Sequence, residues 1–452
     1  MPSDALFGPS LTSDRMRETV SERAWVQAML DVEAAIARAE ASVGLIPDGA
    51  AAEIVAHCRV AEFDVGQIGR DAVESANPVV PLVKALRERV GGEAANHVHR
   101  GATSQDVLDT AMMLVASRAI AVMLDDLGGA AAAAASLAER YRSVVMAGRT
   151  LLQQASVTTF GLKAAGWLVA IMEARDALFG VRKFHLALQF GGAVGTLAAL
   201  SEGTKVAREL AEDLNLRRPL VPWHTNRTVV ANLGSVVAIA TGVAGKIALD
   251  LVLLAQTEVD EVRQHRVAGR GASSTMPQKQ NPVDAVEILA AVRGVNAQAG
   301  ILLGSMLQEQ ERAAGAWQAE WPAVSELFLL AGGATARLAS LLGSLQVDEK
   351  RMGRNLELTG GLIMAEHVMT MLAERTGILN ARKLIDAVVA KAADDHRSFA
   401  ELVQEDPEIK RHLAAKDLAS AFDPSTYLGS NGALIDAALG HYRATKDYAR
   451  EL

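Results

Sequence analysis

Residues 235–266 read SVVAIATGVAGKIALDLVLLAQTEVDEVRQHR, and their spacing sets the fold class. Val236, Ile239, Val243, Ile247, Leu251 and Leu254 recur every three or four positions, the period of one helix face. The stretch therefore predicts a helix that ends in Arg263, His265 and Arg266, where cations complement the helix dipole. From Thr228 to Gly245 no residue is charged, a run near the lower limit for a membrane span. Asn232, Ser235, Thr241 and three glycines interrupt it, so it reads as a buried core helix.

The same period appears on either side. Arg15 to Ala41 places Met16, Val20, Ala24 and Ala28 on one face before Gly44 and Pro47 close the segment. An alanine-rich run after Asp109 extends to Met146 and predicts a helix on the order of 50 Å long. No stretch shows sustained strand alternation. Aromatics make up only 4% of the chain, which favours close helix packing over sheets rich in aromatic and β-branched residues. The expected fold is all-α. A chain of 452 residues exceeds the roughly 250–300 that one core supports, so it is divided into three parts. These are an N-terminal helical domain (1–110), a central long-helix bundle (111–346) and a C-terminal helical domain (347–452).

Net charge is −8 with no long basic run, which argues against nucleic acid and membrane partners. Cys58 is the single cysteine, so no internal disulfide can form and a reducing compartment is expected. The first residues, MPSDALFGPS, lack the basic and apolar regions of a secretory signal, and a cytoplasmic location follows. No HExxH, Cys/His cluster or Gly-rich dinucleotide loop is present, so neither a metal nor a cofactor is expected.

Three segments carry groups suited to chemistry. GASSTMPQKQNPVDAVEIL, from Gly271, offers the hydroxyls of Ser273 and Ser274, the cation of Lys279 and the amide of Asn281 between two restricting prolines. By loop composition alone it reads first as a solvated interhelical loop. HVHRGATSQD, from His97, places the Thr103 and Ser104 hydroxyls and their N–H groups ahead of a helix, where a carboxylate can bind. A plain helix cap is the alternative reading. GRTLLQQASVTTFG, from Gly148, carries Thr150 and Gln153.

The first of these resembles the signature loop GSSxMPxKxNP of the fumarase/aspartase superfamily, with Ala272 in place of a glycine. The second is similar to that family's HxGxTSxD segment, and the third to its GRTHxQxAxPxTFG segment. ESANPVVPLVKAL from Glu74 belongs to the same pattern. The resemblance implies helical bundles that assemble as homotetramers with shared active sites, and a small anionic di- or tricarboxylate substrate. It makes Ser273 the proton-transferring base, with Ser274 as the alternate, and Lys279 a further catalytic group. His99, Thr103, Ser104, Asn77, Thr150, Gln153 and Asn281 become substrate contacts.

Leu151 occupies the place of the histidine that adenylosuccinate lyases use as general acid, and leucine transfers no proton. That departure points to the branch that lactonises 3-carboxy-cis,cis-muconate in the protocatechuate route of aromatic degradation. QFGGAVGTLAAL from Gln189, PWHTNR from Pro222, QEQERAAGAWQAEW from Gln308, RNLELTGGLIMAEHV from Arg354 and FDPSTYLG from Phe422 resemble that branch too. The alternatives are a 3-sulfomuconate cycloisomerase and a lyase that eliminates fumarate from a succinyl adduct. Gln278, Gln280 and Gln318 stand where the branch commonly has cationic residues, which bears on the 3-substituent. His224 is either a proton donor or a packing group beside Trp223, and Arg312 either a carboxylate clamp or half of a surface ion pair.

Overall fold

The computed structural model describes residues 6–265, 276 and 279–446. The chain is all-α, with long helices and two short two-stranded ribbons among the described residues. The expected first helix is broken in two, α1 (Asp14–Thr19) and α2 (Glu22–Ser42), because Ser21 caps α2 by accepting from the Ala24 N–H. α3 spans Val79–Val90. α4 (Ser104–Arg140) starts where the Thr103–Ser104 pair predicts, but it ends before Met146, which lies in a strand.

That strand, β1 (Val145–Thr150), pairs antiparallel with β2 (Gln153–Thr159), a ribbon that no sustained alternation marks in the sequence. Leu151 and Leu152 form its two-residue turn, with φ of 50° and 66°. The pattern was illegible because the ribbon has no cleanly alternating apolar face: β2 is mostly polar and half-exposed.

α5 spans Phe160–Gly180 and α6 Thr228–Leu254. α6 begins before and ends well short of the predicted limits; Val262–Arg263 instead form β3, which pairs with Gln346–Val347 (β4). The basic residues therefore do not cap the helix, and the chain leaves it at a turn around Asp260, φ 49°. α7 (Val283–Gly304) and α8 (Ala316–Gly343) complete the long helices.

The chain resolves into two compact units. One comprises Met1–Leu127, Glu173–Lys246 and Glu287–Leu338, the other Gly128–Met172, Ile247–Val286 and Ala339–Leu452. In the first, α2 buries Val26, Met29, Leu30, Glu33, Ile36 and Glu40 along one stripe and packs on Asp48–His57 and Gly203–Asp213. In the second, helices between Ala365 and Ala421 enclose a core of Val368, Leu372, Ile385, Phe399 and Leu402. Each fully buried aliphatic side chain contributes about 1.5–3 kcal/mol.

Four helices, α4, α6, α7 and α8, are long and apolar enough to cross a membrane by length and composition. The apolar window of α4 is 78% buried within the chain, whereas that of α6 is 44% and that of α7 28% buried. α6 is therefore only partly the core helix predicted, and Ile239, Leu249, Ile301 and Leu303 remain exposed.

Candidate active site

The start of α4 is built by a reciprocal cap. Asp106 N–H donates to the Thr103 carbonyl at 3.0 Å, and Thr103 N–H donates to Oδ2 of Asp106 at 3.0 Å. Thr103 and Ser104 are half-buried at this terminus, where unpaired amides and the helix dipole favour an anion.

Asp106 is fully buried and serves as an acceptor for far more than the cap. Its Oδ1 takes hydrogen bonds from Gly191 N–H at 3.0 Å and Gln189 Nε2 at 3.3 Å, and lies 2.7 Å from His224 Nε2. Oδ2 also accepts from Gly192 N–H at 2.8 Å. The glycines are required: a Cβ on Gly191 would lie within 3 Å of Pro222 and His224, and Gly192 has φ 68°. One carboxylate thus pins a helix start, a glycine turn and a buried histidine.

Gln105 extends the network by donating to Asp109 at 3.0 Å and to the His224 carbonyl at 2.8 Å. Arg312 donates to Gln105 Oε1 and to the Ala193 carbonyl, both at 2.6 Å. Two of its donors therefore hold the glycine turn against α4. Below lies a dry ion triad: Arg227 donates to Asp109 at 2.7 Å and to Glu320 at 2.5 Å, with all three side chains fully buried. Trp317 Nε1 donates to Asp109 at 2.9 Å, and the Trp223 ring faces the guanidinium at 4.7 Å. Burial works against the Arg227 charge, but Asp109 and Glu320 outweigh it and raise its pKa further. Burial also raises the Glu320 carboxyl despite the pull of Arg227.

His99 stands just ahead of this helix start, with φ 59°, and its Nδ1 lies 2.6 Å from Oε1 of buried Glu33. Burial depresses the imidazole pKa, but the charge and hydrogen bond of Glu33 raise it above the ordinary value. The structure therefore brings His99, Thr103, Ser104, His224 and Arg312 to one region of the first unit.

Asn77 accepts from Val79 and Val80 N–H at 3.1 and 3.3 Å and donates to the Ser75 carbonyl, which caps α3. Thr150 and Gln153 are exposed partners flanking the Leu151–Leu152 turn in the second unit. Arg149 in that ribbon makes a two-pronged contact with buried Glu261 at 2.7 and 2.9 Å, and Asn355 donates to the same carboxylate at 2.8 Å. Lys279 is exposed and Asn281 half-buried, whereas Ser273, Ser274 and Gln278 lie outside the described residues. Gln280 is exposed. Gln318 carries a buried Oε1 with no hydrogen-bond partner among the described residues. Among the described residues no group of three or more His, Cys, Asp or Glu is placed to hold a metal ion.

Sequence reasoning missed Asp106, Gln105, Asp109, Arg227 and Glu320. A signal existed: Asp106 and Asp109 are three apart in a helix turn with apolar Val107, Leu108 and Ala111, so both face one side, and buried carboxylates demand partners.

Comparison with known proteins places these residues in a family context. The model of a family described as "Lyase" matches residues 9–298, and one described as "Adenylosuccinate lyase C-terminus" matches residues 361–438. The chain is 43% identical to the 3-carboxy-cis,cis-muconate cycloisomerase of Bradyrhizobium diazoefficiens, over 96% of this chain and 97% of that one. It is 44% identical to the nitrosuccinate lyase of Streptomyces davaonensis, over 96% and 94% of the two chains. The crystal structure of 3-carboxy-cis,cis-muconate lactonizing enzyme from Pseudomonas putida superposes with a TM-score of 0.92 at 38% identity, covering 98% of this chain and 99% of that one.

Proposed function

Because this chain belongs to the lyase family, within the fumarase/aspartase superfamily, we propose that it is a cycloisomerase that lactonises 3-carboxy-cis,cis-muconate in aromatic catabolism. The observation that carries this reading is Leu151, which sits 97% exposed at the ribbon tip in the place of the histidine that adenylosuccinate lyases use as general acid. An apolar side chain there transfers no proton, while similarity to muconate cycloisomerases runs along nearly the whole chain.

Lactonisation forms a C–O bond between one carboxylate and one end of a carbon–carbon double bond. Charge passes to the other end, alpha to another carboxylate, as an aci-carboxylate that then takes a proton; no atom is lost. Donors aimed at that group contribute about 2.7–4 kcal/mol each, and a positioned acid roughly 10²–10⁴-fold. We assign charge stabilisation to Lys279, Asn281 and the Thr103–Ser104 helix start, and the proton to Ser273, Ser274 or Lys279. His99, Asn77, Thr150 and Gln153 contact substrate. His224 and Arg312 support the site through Asp106 and Gln105.

We further propose a cytoplasmic homotetramer with active sites shared between subunits. The apolar windows of α6 and α7, largely unburied within one chain, support it. Light scattering should report roughly four times 47.7 kDa; a monomer at working concentration would remove the proposal.

A second reading, elimination from a substituted succinate, is favoured by the 44% match to nitrosuccinate lyase. A 3-sulfomuconate substrate is a further reading, favoured by Gln278, Gln280 and Gln318 standing where the muconate branch commonly carries cationic residues. The deciding experiment follows diene absorbance with 3-carboxy- and 3-sulfo-cis,cis-muconate and fumarate release from nitrosuccinate, with chelator present. Fastest loss with the carboxy compound supports the cycloisomerase. Activity confined to nitrosuccinate overturns it.

A further inference from the structure

Glu33 and Glu40 occupy places in the apolar stripe of α2 that a leucine would ordinarily fill, and both are buried to within 1%. They lie seven residues apart, two turns along one face. A core helix does not retain carboxylates there without partners. Glu33 has one: Oε1 lies 2.6 Å from His99 Nδ1, while Oε2 has no hydrogen-bond partner among the described residues. His99 in turn holds a left-handed backbone, which L residues avoid, and its side chain stays 15% exposed.

We propose that Glu33 is a positioning residue for the reaction: it holds His99 as an imidazolium whose Nε2–H is presented as donor to a substrate carboxylate. This rests on the reading of His99 as a substrate contact. A buried carboxylate with a single hydrogen-bonding partner is matched best by a cation, so the short contact favours both ring protons on His99. The charges facing the ring come from three helices: Glu33 on α2, Arg87 on α3 and Asp106 on α4. Arg87 opposes protonation and Asp106 favours it. Glu40, raised to about 7 by burial, with Arg100 and Glu33 nearby, stays largely neutral below neutrality and does not compete with Glu33 as a second charge.

The test is a histidine-selective NMR titration of the full-length protein, wild type against Glu33→Gln, with His99→Gln to assign the resonance. The His99 pKa should fall by about one unit or more in Glu33→Gln and recover in part in Glu33→Asp. With 3-carboxy-cis,cis-muconate, the alkaline limb of kcat/KM should move down by the same amount, and KM should rise about tenfold while kcat changes less. An unchanged His99 titration overturns the proposal, as does a shifted titration with an unmoved kinetic limb. Should the protein turn over no muconate, the NMR measurement still decides whether Glu33 sets the charge of His99, which separates failure of this inference from failure of the functional reading. Glu33→Asp serves in place of Glu33→Gln if the amide variant does not fold.

Discussion

The imidazole Nε2 of His224 lies 2.7 Å from Oδ1 of Asp106, and both side chains are buried. The contact joins segments 118 residues apart and fixes the histidine against the helix start where substrate is expected. Asp106→Asn keeps the shape but removes the charge and one acceptor oxygen. Urea unfolding should show a loss of about 2–4 kcal/mol, since charge-assisted bonds are worth more than neutral ones. Turnover should fall together with it. Stability within about 1 kcal/mol of wild type would mean that the glycine turn holds without this carboxylate.

Arg227 separates two carboxylates that no solvent reaches. Arg227→Met should cost about 3–5 kcal/mol because Asp109 and Glu320 are left uncompensated. Adding Asp109→Asn and Glu320→Gln should recover much of that loss. A single variant as stable as wild type in a thermal melt would contradict the buried triad.

Glu40 gives stability a pH dependence of known sign. Its carboxyl is raised from 4.5 in the reference state to about 7 in the fold, so the folded state holds the proton more tightly. That contribution is fully present below pH 4.5 and is lost as pH rises toward about 7, a change on the order of 3 kcal/mol. Glu40→Gln should gain stability relative to wild type by about that amount between roughly pH 5 and pH 8, measured by denaturant titration. A constant difference between the two proteins across that range would show that Glu40 ionises normally.

The Leu151–Leu152 turn holds two leucines at positive φ and in solvent, with 97% and 73% of their surface exposed. Replacing them by Asn-Gly, the pair such a turn prefers, should stabilise the isolated fold by about 1–2 kcal/mol. If the ribbon tip contributes to a neighbouring subunit's site, the same variant should be more stable yet less active. Unchanged activity would remove Thr150 and Gln153 from the substrate contacts.

Ser273→Ala should reduce turnover roughly 10²-fold or more while leaving the melting curve in place, as expected for loss of a proton-transfer group. Ser274→Ala should do less. The reverse order would assign the base to Ser274, and two active serine variants would move it to Lys279, testable with Lys279→Met.

The chemistry-bearing segments were legible because each is local. The capping pattern at Thr103–Ser104, the hydroxyls and cation from Ser273 to Lys279, and the substitution at Leu151 are each contained in a stretch of a few residues. Helical period, low aromatic content and alanine richness likewise gave the all-α class. Helix limits were less legible, since α6 ends at Leu254, ahead of the turn at Asp260, and not at the basic residues that periodicity favoured. The ribbon at Val145–Thr159 escaped notice because its strands present no alternating apolar face.

The sequence by itself determined the fold class, the family and the chemical groups available, since these depend on composition, period and short-range spacing. Only the tertiary structure decided which groups meet. Asp106 with His224 and Gly191, Arg227 with Asp109 and Glu320, and His99 with Glu33 are all joined across 66 or more residues. No local pattern encodes such pairs. They form because burial makes an unpartnered charge costly, and packing brings within reach the partner that removes the cost.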